Sequence, residues 1–141
     1  MELGLGRGWA LVRWLEHAVT LLDTSAVIWA HMGHARSKRL RRIHGRRYVS
    51  PATVLELQML VEAGRITLAS KASVDDLVRD ADWLLDDPPA AAWFERACTI
   101  GWTRDPFDRL IVAHAQLRGW RLATGDRHLV ERLGPEQAVE L

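Results

Sequence analysis

The chain has 141 residues, of which 48% are hydrophobic, enough for one globular domain with a sizeable core. Its net charge of +1 is close to neutral but hides a strong local asymmetry. Its single cysteine, Cys98, excludes an internal disulfide, and the interrupted apolar segments of residues 1–30 match neither an export signal nor a membrane span, so we expect a cytoplasmic protein.

The N-terminal segment differs from the rest of the chain in pattern. Residues 1–17 show little periodicity beyond a frayed helix around Trp9–His17, and we interpret them as an extension. A single domain is expected over residues 18–141. It begins with the apolar run Val19–Leu22, a pattern typical of a buried parallel strand, and the run ends at Asp23.

Short apolar strands then alternate with helices. Further strands are predicted at Tyr48–Val49, Ile66–Leu68, Arg121–Thr124 and Ala138–Leu141. Helices are predicted at Ala26–Met32, Arg36–His44, Ala52–Ala63, Val74–Leu85, Ala90–Cys98, Pro106–Arg118 and Arg127–Leu133. Their predicted N-caps are Thr24 or Ser25 for the first helix, then Ser50, Ser73 and Asp105. The alternation favours an α/β fold with a parallel sheet covered on both faces.

Charge is unevenly distributed along these elements. Between Thr24 and Leu55 no acidic residue occurs, and the seven basic ones are Arg36, Lys38, Arg39, Arg41, Arg42, Arg46 and Arg47. Between Lys71 and Arg96, seven acidic residues outnumber three basic ones. A basic segment beside a carboxylate site suits a polyanion such as a nucleic acid. The alternative is a solvated helix face or a docking surface for an acidic protein.

Four acidic residues stand where a strand or helix begins or ends: Asp23, Glu56, Asp108 and Asp126. Sites in open parallel sheets form at the carboxyl ends of the strands. Asp23 and Asp126 follow two such ends, and the other two acids lie in helices that begin nearby. Because like charges are costly to gather without a cation, convergence of these four would indicate a metal-dependent enzyme.

Helical phase supports an inward direction for the two helical acids. Glu56 shares its stripe with Ala52, Met59, Leu60 and Ala63. Asp108 shares its stripe with Ile111, Val112 and Ala115. An ionised carboxylate tolerates an apolar face only when it is paired, protonated or bound to a metal. Glu62, on the opposite side of the helix that contains Glu56, is the contrast and is expected to be solvated.

Each acid also has a purely structural interpretation. Asp23 and Asp126 could cap the helices that follow them. Asp108 occupies the third helical position after Asp105 and could complete a capping box. A salt bridge with an arginine could account for any single acid, but it accounts poorly for four.

The ligand chemistry narrows the choice of metal. Carboxylates without cysteine or clustered histidine favour Mg²⁺ or Mn²⁺ over zinc. Carboxylate-held Mg²⁺ commonly serves phosphodiester hydrolysis, in which it activates water and neutralises the scissile phosphate. The sequence contains no Ser-His-Asp or Cys-His arrangement, P-loop or GxGxxG motif, so chemistries based on nucleophilic residues or nucleotide cofactors are unsupported.

Four segments together resemble the PIN-domain family in order and spacing: LLDTSAVIWA, the Ser50–Glu56 stretch, DPFDRLIVAHA and LATGDRHL. The DPFDRLI form is most similar to bacterial VapC-type toxins of toxin–antitoxin pairs. The resemblance covers roughly residues 20–141. It implies a three-layer α/β/α sandwich with a central, mainly parallel sheet.

The resemblance also implies a Mg²⁺- or Mn²⁺-dependent ribonuclease, a small antitoxin that blocks its site, and a homodimer. The family's acidic quartet carries over onto Asp23, Glu56, Asp108 and Asp126. The family's hydroxyl position matches Thr124, which would orient Asp126 or a water on the metal. With RNA as the implied substrate, the candidates for RNA contact in the basic segment are Arg39, Arg41 and Arg42.

Two other classes of protein remain as alternatives. A PIN-like module could bind RNA or a protein without cleaving it, although a complete acidic quartet argues against this. A phosphoacceptor domain would use a strand-end aspartate such as Asp23. That interpretation leaves Glu56 and Asp126 unexplained, and the first motif lacks the Asp-x-Asp of aspartate-nucleophile phosphatases.

Overall fold

A computed structural model describes residues 18–69, 72–79 and 82–141. The helix expected around Trp9–His17 lies outside these ranges. The strands in the described residues are β1 Val19–Leu22, β2 Arg46–Val49, β3 Leu84–Leu85, β4 Arg121–Thr124 and β5 Ala138–Glu140. The helices are α1 Thr24–Met32, α2 Ser37–Arg41, α3 Pro51–Glu62, α4 Val74–Val78, α5 Ala90–Cys98, α6 Pro106–Arg118 and α7 Arg127–Leu133.

The five strands form one parallel sheet in the order β3-β2-β1-β4-β5. Strand β1 lies at its centre, with Leu22 paired to Val49 of β2 on one side and to Ala123 of β4 on the other. After β1 the chain first adds β2 and β3 on one side of β1, and it later adds β4 and β5 on the other side. This reversal opens a crevice at the carboxyl ends of β1 and β4.

Successive residues of the central strands pack against opposite faces of the sheet. Leu22 and Ala123 belong to a core that includes residues of α1, α3 and α4. Leu21 and Leu122 belong to a second core with α5, α6 and α7. A buried strand with an apolar residue at every position requires cover on both sides. The predicted α/β fold with helices on both faces of a parallel sheet is confirmed.

Most helices begin at the predicted capping residues. The side chain of Ser50 accepts from the backbone N–H of Ala52, and Pro51 starts α3. Ser73 and Asp76 form a complete capping box at α4. The first helix differs, because Asp23 rather than Thr24 or Ser25 is its N-cap, accepting from the Thr24 N–H at 2.8 Å.

Three predicted elements are wrong in extent or type. The helix expected over Arg36–His44 is limited to Ser37–Arg41, where closely spaced like charges disfavour further turns and the chain turns into β2. The helix expected over Val74–Leu85 ends at Val78, and Leu84–Leu85 instead forms β3 beside β2. The strand expected at Ile66–Leu68 is absent, and this segment is irregular. No helix in the described ranges is long and apolar enough to cross a membrane.

Candidate active site

A pocket of about 460 Å³ opens at the crevice above the carboxyl ends of β1 and β4. Its lining contains all four acids singled out in the sequence, together with a fifth: Asp23, Glu56, Asp105, Asp108 and Asp126. These residues come from the ends of two strands and from helices α3 and α6. The fold therefore brings together side chains that are far apart in sequence.

Asp23 is the most enclosed of these acids, with 6% of its surface exposed. It terminates β1 and caps α1 at the same time. One carboxylate oxygen accepts from the Thr24 N–H, and the other accepts from the Thr124 hydroxyl at 2.6 Å. Burial raises the pKa of Asp23, and these hydrogen bonds only partly offset the effect, while the charge of Asp126 adds to it. Hydrogen bonds hold the carboxylate in place, and no basic side chain of the described residues forms an ion pair with it.

The Thr124 hydroxyl links two of the acids. It donates to Asp23 and accepts from the backbone N–H of Asp126 at 3.0 Å. Asp126 in turn caps α7, because one of its carboxylate oxygens accepts from the N–H groups of His128 and Leu129 at 2.9 and 3.4 Å. The structural and functional interpretations of Asp23 and Asp126 are thus compatible, since a carboxylate that caps a helix with one oxygen keeps lone pairs for a ligand.

Glu56 reaches the pocket from the edge of the buried face of α3. That face is centred on Thr53 and Leu57, both with no exposed surface, so Glu56 is half-buried. Burial raises its pKa, a hydrogen bond from Thr24 opposes this, and the charges of Asp23 and Asp105 raise it further. The predicted apolar stripe is only partly correct, because Met59 is 49% exposed. Leu60, another residue of that predicted stripe, does line the pocket with Glu56.

Asp108 also carries a large electrostatic penalty. Burial raises its pKa to about 7, with further contributions from Asp105, Asp23, Asp126 and Glu56. Its carboxylate does not complete the predicted capping box. Asp105 caps α6 through its side chain, but its own backbone N–H donates to the Thr103 hydroxyl. The structural alternative for Asp108 therefore loses its support.

None of the pocket acids forms an ion pair with a basic side chain in the described part of the chain. Carboxylate oxygens without cationic partners are the ligands that Mg²⁺ and Mn²⁺ prefer. Among the described residues, however, no three carboxylate, histidine or cysteine side chains are arranged to hold a metal ion. The donor set fits a divalent cation in type and charge.

Three other residues at the pocket were not singled out from the sequence. Trp29 lines the wall, Arg36 is the basic residue of the lining, and Gly125 packs under the Trp29 ring. A Cβ atom at position 125 would overlap that ring, so the glycine of the LATGDRHL motif is required by a close approach. Trp29 lies four residues after Ser25, so the helical period could have indicated that the two side chains share one side of α1. Arg36 lies in a turn, where the helical period does not predict the direction of a side chain.

The three arginines proposed for RNA contact lie outside the acid pocket. Arg39 and Arg42 line an adjoining cleft, which shares Arg36 with the pocket. Arg41 lines a separate cavity together with Arg47 and Trp83. The basic segment therefore presents its side chains in more than one direction.

Comparison with known proteins identifies relatives of this fold. A family model described as PIN domain matches residues 20–133. VapBC2 from Rickettsia felis, bound to a promoter DNA fragment, is similar with a TM-score of 0.61 and 16% identity over 86% of this chain and 97% of that chain. A toxin–antitoxin complex from Klebsiella pneumoniae has a TM-score of 0.60 and 19% identity over 86% and 99% of the two chains. At these identities the likeness concerns the fold. No curated protein sequence matches the chain.

Proposed function

Because this chain belongs to the PIN domain family, we propose that it is a metal-dependent ribonuclease acting as the toxin of a toxin–antitoxin pair. The observation that carries this proposal is the gathering of five acids in one pocket without a cationic partner among the described residues. Such an arrangement is electrostatically unfavourable in itself and becomes favourable with a divalent cation.

Asp23, Asp108 and Asp126 would hold Mg²⁺ or Mn²⁺, directly or through water, and Glu56 would complete the shell or position the attacking water. When bound, the ion would lower the pKa of a water molecule and neutralise the charge that develops on the scissile phosphate. Burial is the main cause of the raised pKa of Asp108, and the crowding of carboxylates that attracts the ion adds to it.

The supporting residues fix the geometry of these ligands. Thr124 sets the distance between β1 and the loop after β4 by bonding to Asp23 and to the Asp126 backbone. Thr24 lines the same pocket and opposes the rise in the pKa of Glu56 that burial causes. Preorganised ligands of this kind lower the reorganisation needed in the transition state.

The direct test is RNA cleavage by Asp23→Asn and Asp108→Asn with Mg²⁺ or Mn²⁺ present. Each substitution removes a proposed ligand charge with little change of shape, so we expect cleavage to fall by at least about 100-fold. Glu62→Gln is the matched control, because Glu62 is an exposed acid on α3 that accepts a hydrogen bond from Gln58. Circular dichroism checks the fold of each variant. Full activity in both aspartate variants would exclude the proposed roles.

The proposed partner is a small antitoxin that covers the pocket. Leu55 and Met59 are 56% and 49% exposed on the face of α3 next to Glu56, and an apolar partner segment would bury them. The two similar structures are toxin–antitoxin complexes, which supports the same kind of partner here. Induction of the chain should arrest growth, and co-expression of a small DNA-binding protein encoded by the neighbouring reading frame should restore it.

Sequencing of RNA ends after brief induction would identify the cleaved site.

We further propose that the protein acts as a homodimer in the cytoplasm. Its one cysteine, Cys98, is an exposed free thiol, which suits a reducing compartment. Sedimentation velocity of the purified chain with and without its antitoxin measures the oligomeric state. A monomer under both conditions would contradict the dimer.

A PIN-like module that binds RNA without cleaving it is the second candidate. The observation that favours it is the absence, among the described residues, of three side chains already placed for one metal ion. RNA binding with no cleavage in either Mg²⁺ or Mn²⁺ would support this candidate over the nuclease.

A further inference from the structure

Arg36 stands at the boundary between two cavities of opposite charge. It lines the acid pocket, and it also lines an adjoining cleft of about 480 Å³ together with Lys38, Arg39 and Arg42. The cleft also contains the exposed Glu140, so its basic side chains outnumber this acidic one by four to one. A cavity lined in this way attracts polyanions.

The guanidinium group of Arg36 lies against an aromatic ring and forms no ion pair with a carboxylate of the described residues. Its Cζ atom lies 4.6 Å from the centroid of the Trp29 ring, a cation–π contact. Although it shares a pocket with five acids, none of them forms an ion pair with it in the described part of the chain. Its five N–H donors are therefore available for a ligand at the rim of the acid pocket.

The Trp29 ring is itself fixed in place. The imidazole of His34 stacks on it at 5.6 Å between centroids, and Gly125 lies close beneath it. The backbone N–H of Arg36 donates to the His34 Nδ1 at 3.1 Å, which ties the turn to the same stack. Contacts with Trp29 and His34 therefore hold Arg36 in position at the rim of the pocket.

We propose that a single RNA strand runs from the basic cleft into the acid pocket, with Arg36 contacting the phosphate next to the scissile one. This inference rests on the proposed ribonuclease function and assigns the path of its substrate. Lys38, Arg39 and Arg42 bind the phosphates that follow along the cleft. Arg41 lies in a separate cavity and takes no part, so the expected RNA contact at Arg41 is replaced by one at Arg36.

The test measures binding of a short fluorescein-labelled single-stranded RNA by anisotropy in EDTA over a range of salt concentrations. Removing one cation that neutralises a phosphate of a single strand makes the slope of log K against log salt shallower by about 0.7. We expect this change for Arg36→Ala and a change of about 2 for the triple variant of Lys38, Arg39 and Arg42 to alanine. Arg41→Ala, which removes the same charge from another cavity, should match the wild type.

Cleavage kinetics with Mg²⁺ separate the outcomes. Arg36→Ala should raise KM and lower kcat, while Arg36→Lys should keep the salt slope because it keeps the charge. If the wild type cleaves RNA and Arg36→Ala behaves as Arg41→Ala does, the strand path is wrong and the ribonuclease stands. If the wild type neither binds nor cleaves RNA, the proposed function itself fails. A poly-glutamate peptide that binds as tightly as RNA, and equally depends on Arg36, would assign the cleft to an acidic protein instead.

Discussion

Asp86 and the acid pocket lie at the same carboxyl edge of the sheet but have opposite electrostatic environments. Asp86 directly follows β3, as Asp23 directly follows β1. Asp86 accepts from the Arg118 guanidinium at 2.8 and 3.2 Å, and its Oδ2 lies 2.7 Å from the His114 Nε2. Burial alone would raise the pKa of Asp86, but these partners outweigh burial and lower it. In the acid pocket burial acts with like charges, and the pKa of Asp108 rises to about 7.

The difference shows that a strand-end position does not by itself make a functional acid. Asp86 joins the end of β3 to α6, and its carboxylate is paired with His114 and Arg118. The pocket acids keep their charge available for a ligand. Neutralising Asp86 and, separately, one of the pocket acids should therefore change stability in opposite directions.

The largest expected effect on stability is a loss on Asp86→Ala. This change removes the acceptor for Arg118 and for the fully buried His114, so we expect the free energy of unfolding to fall by about 2–3 kcal/mol. Urea denaturation measures it. Asp75→Ala is the control, since its ion pair with Arg79 is exposed and should contribute almost nothing. Equal stability of the two variants would mean that the Asp86 cluster does not hold β3 to α6.

A smaller effect of opposite sign is expected from Asp108→Asn. Without metal, removal of a charge that the fold disfavours should raise the free energy of unfolding by about 1–2 kcal/mol, a value discounted for partial solvent access. Thermal unfolding in EDTA measures this, with Glu62→Gln as the control. Mg²⁺ should then stabilise the wild type more than Asp108→Asn. A destabilised Asp108→Asn protein in EDTA would contradict the picture of an uncompensated charge.

That difference should also depend on pH, with an amplitude no larger than the difference itself. Since the pKa of Asp108 is raised from 3.8 to about 7, its ionisation costs stability above about pH 7, and the cost disappears as the pH falls toward 4. The advantage of Asp108→Asn over the wild type in EDTA should shrink over the same interval. Burial lowers the pKa of His114, so its protonation reduces the stability of both proteins as the pH falls. Taking the difference between their free energies of unfolding removes this shared contribution. An advantage independent of pH would exclude Asp108 as its source.

Local sequence signals predicted most helix boundaries. Ser50-Pro51 and Asp105-Pro106 each place a capping side chain before a proline, and α3 and α6 begin there. The predicted end of α6 at Arg118 is also correct, and Gly119 follows it in the left-handed conformation that glycine readily adopts. These signals act within a few residues and need no tertiary information. The gathering of four acids in one pocket followed from applying the strand-end rule to them.

Features that depend on distant partners could not be predicted locally. Leu84–Leu85 forms a strand only because Tyr48–Val49 offers an open edge, although the surrounding sequence has helical periodicity. Met59 is exposed because packing centres α3 on Leu57, one residue away from the predicted stripe. Arg36 reaches the pocket from a turn, and its stacking on Trp29 depends on how two elements meet.

The hydrogen bond between Thr124 and Asp23 joins residues that are 101 positions apart. On the ribosome, Asp23 is synthesised early, but it cannot acquire this partner until β4 has emerged and paired beside β1. A nascent chain or a prematurely terminated product that ends before Thr124 therefore lacks a complete pocket. For a proposed toxin against RNA, this order of assembly delays activity until β4 has been synthesised and has joined the sheet.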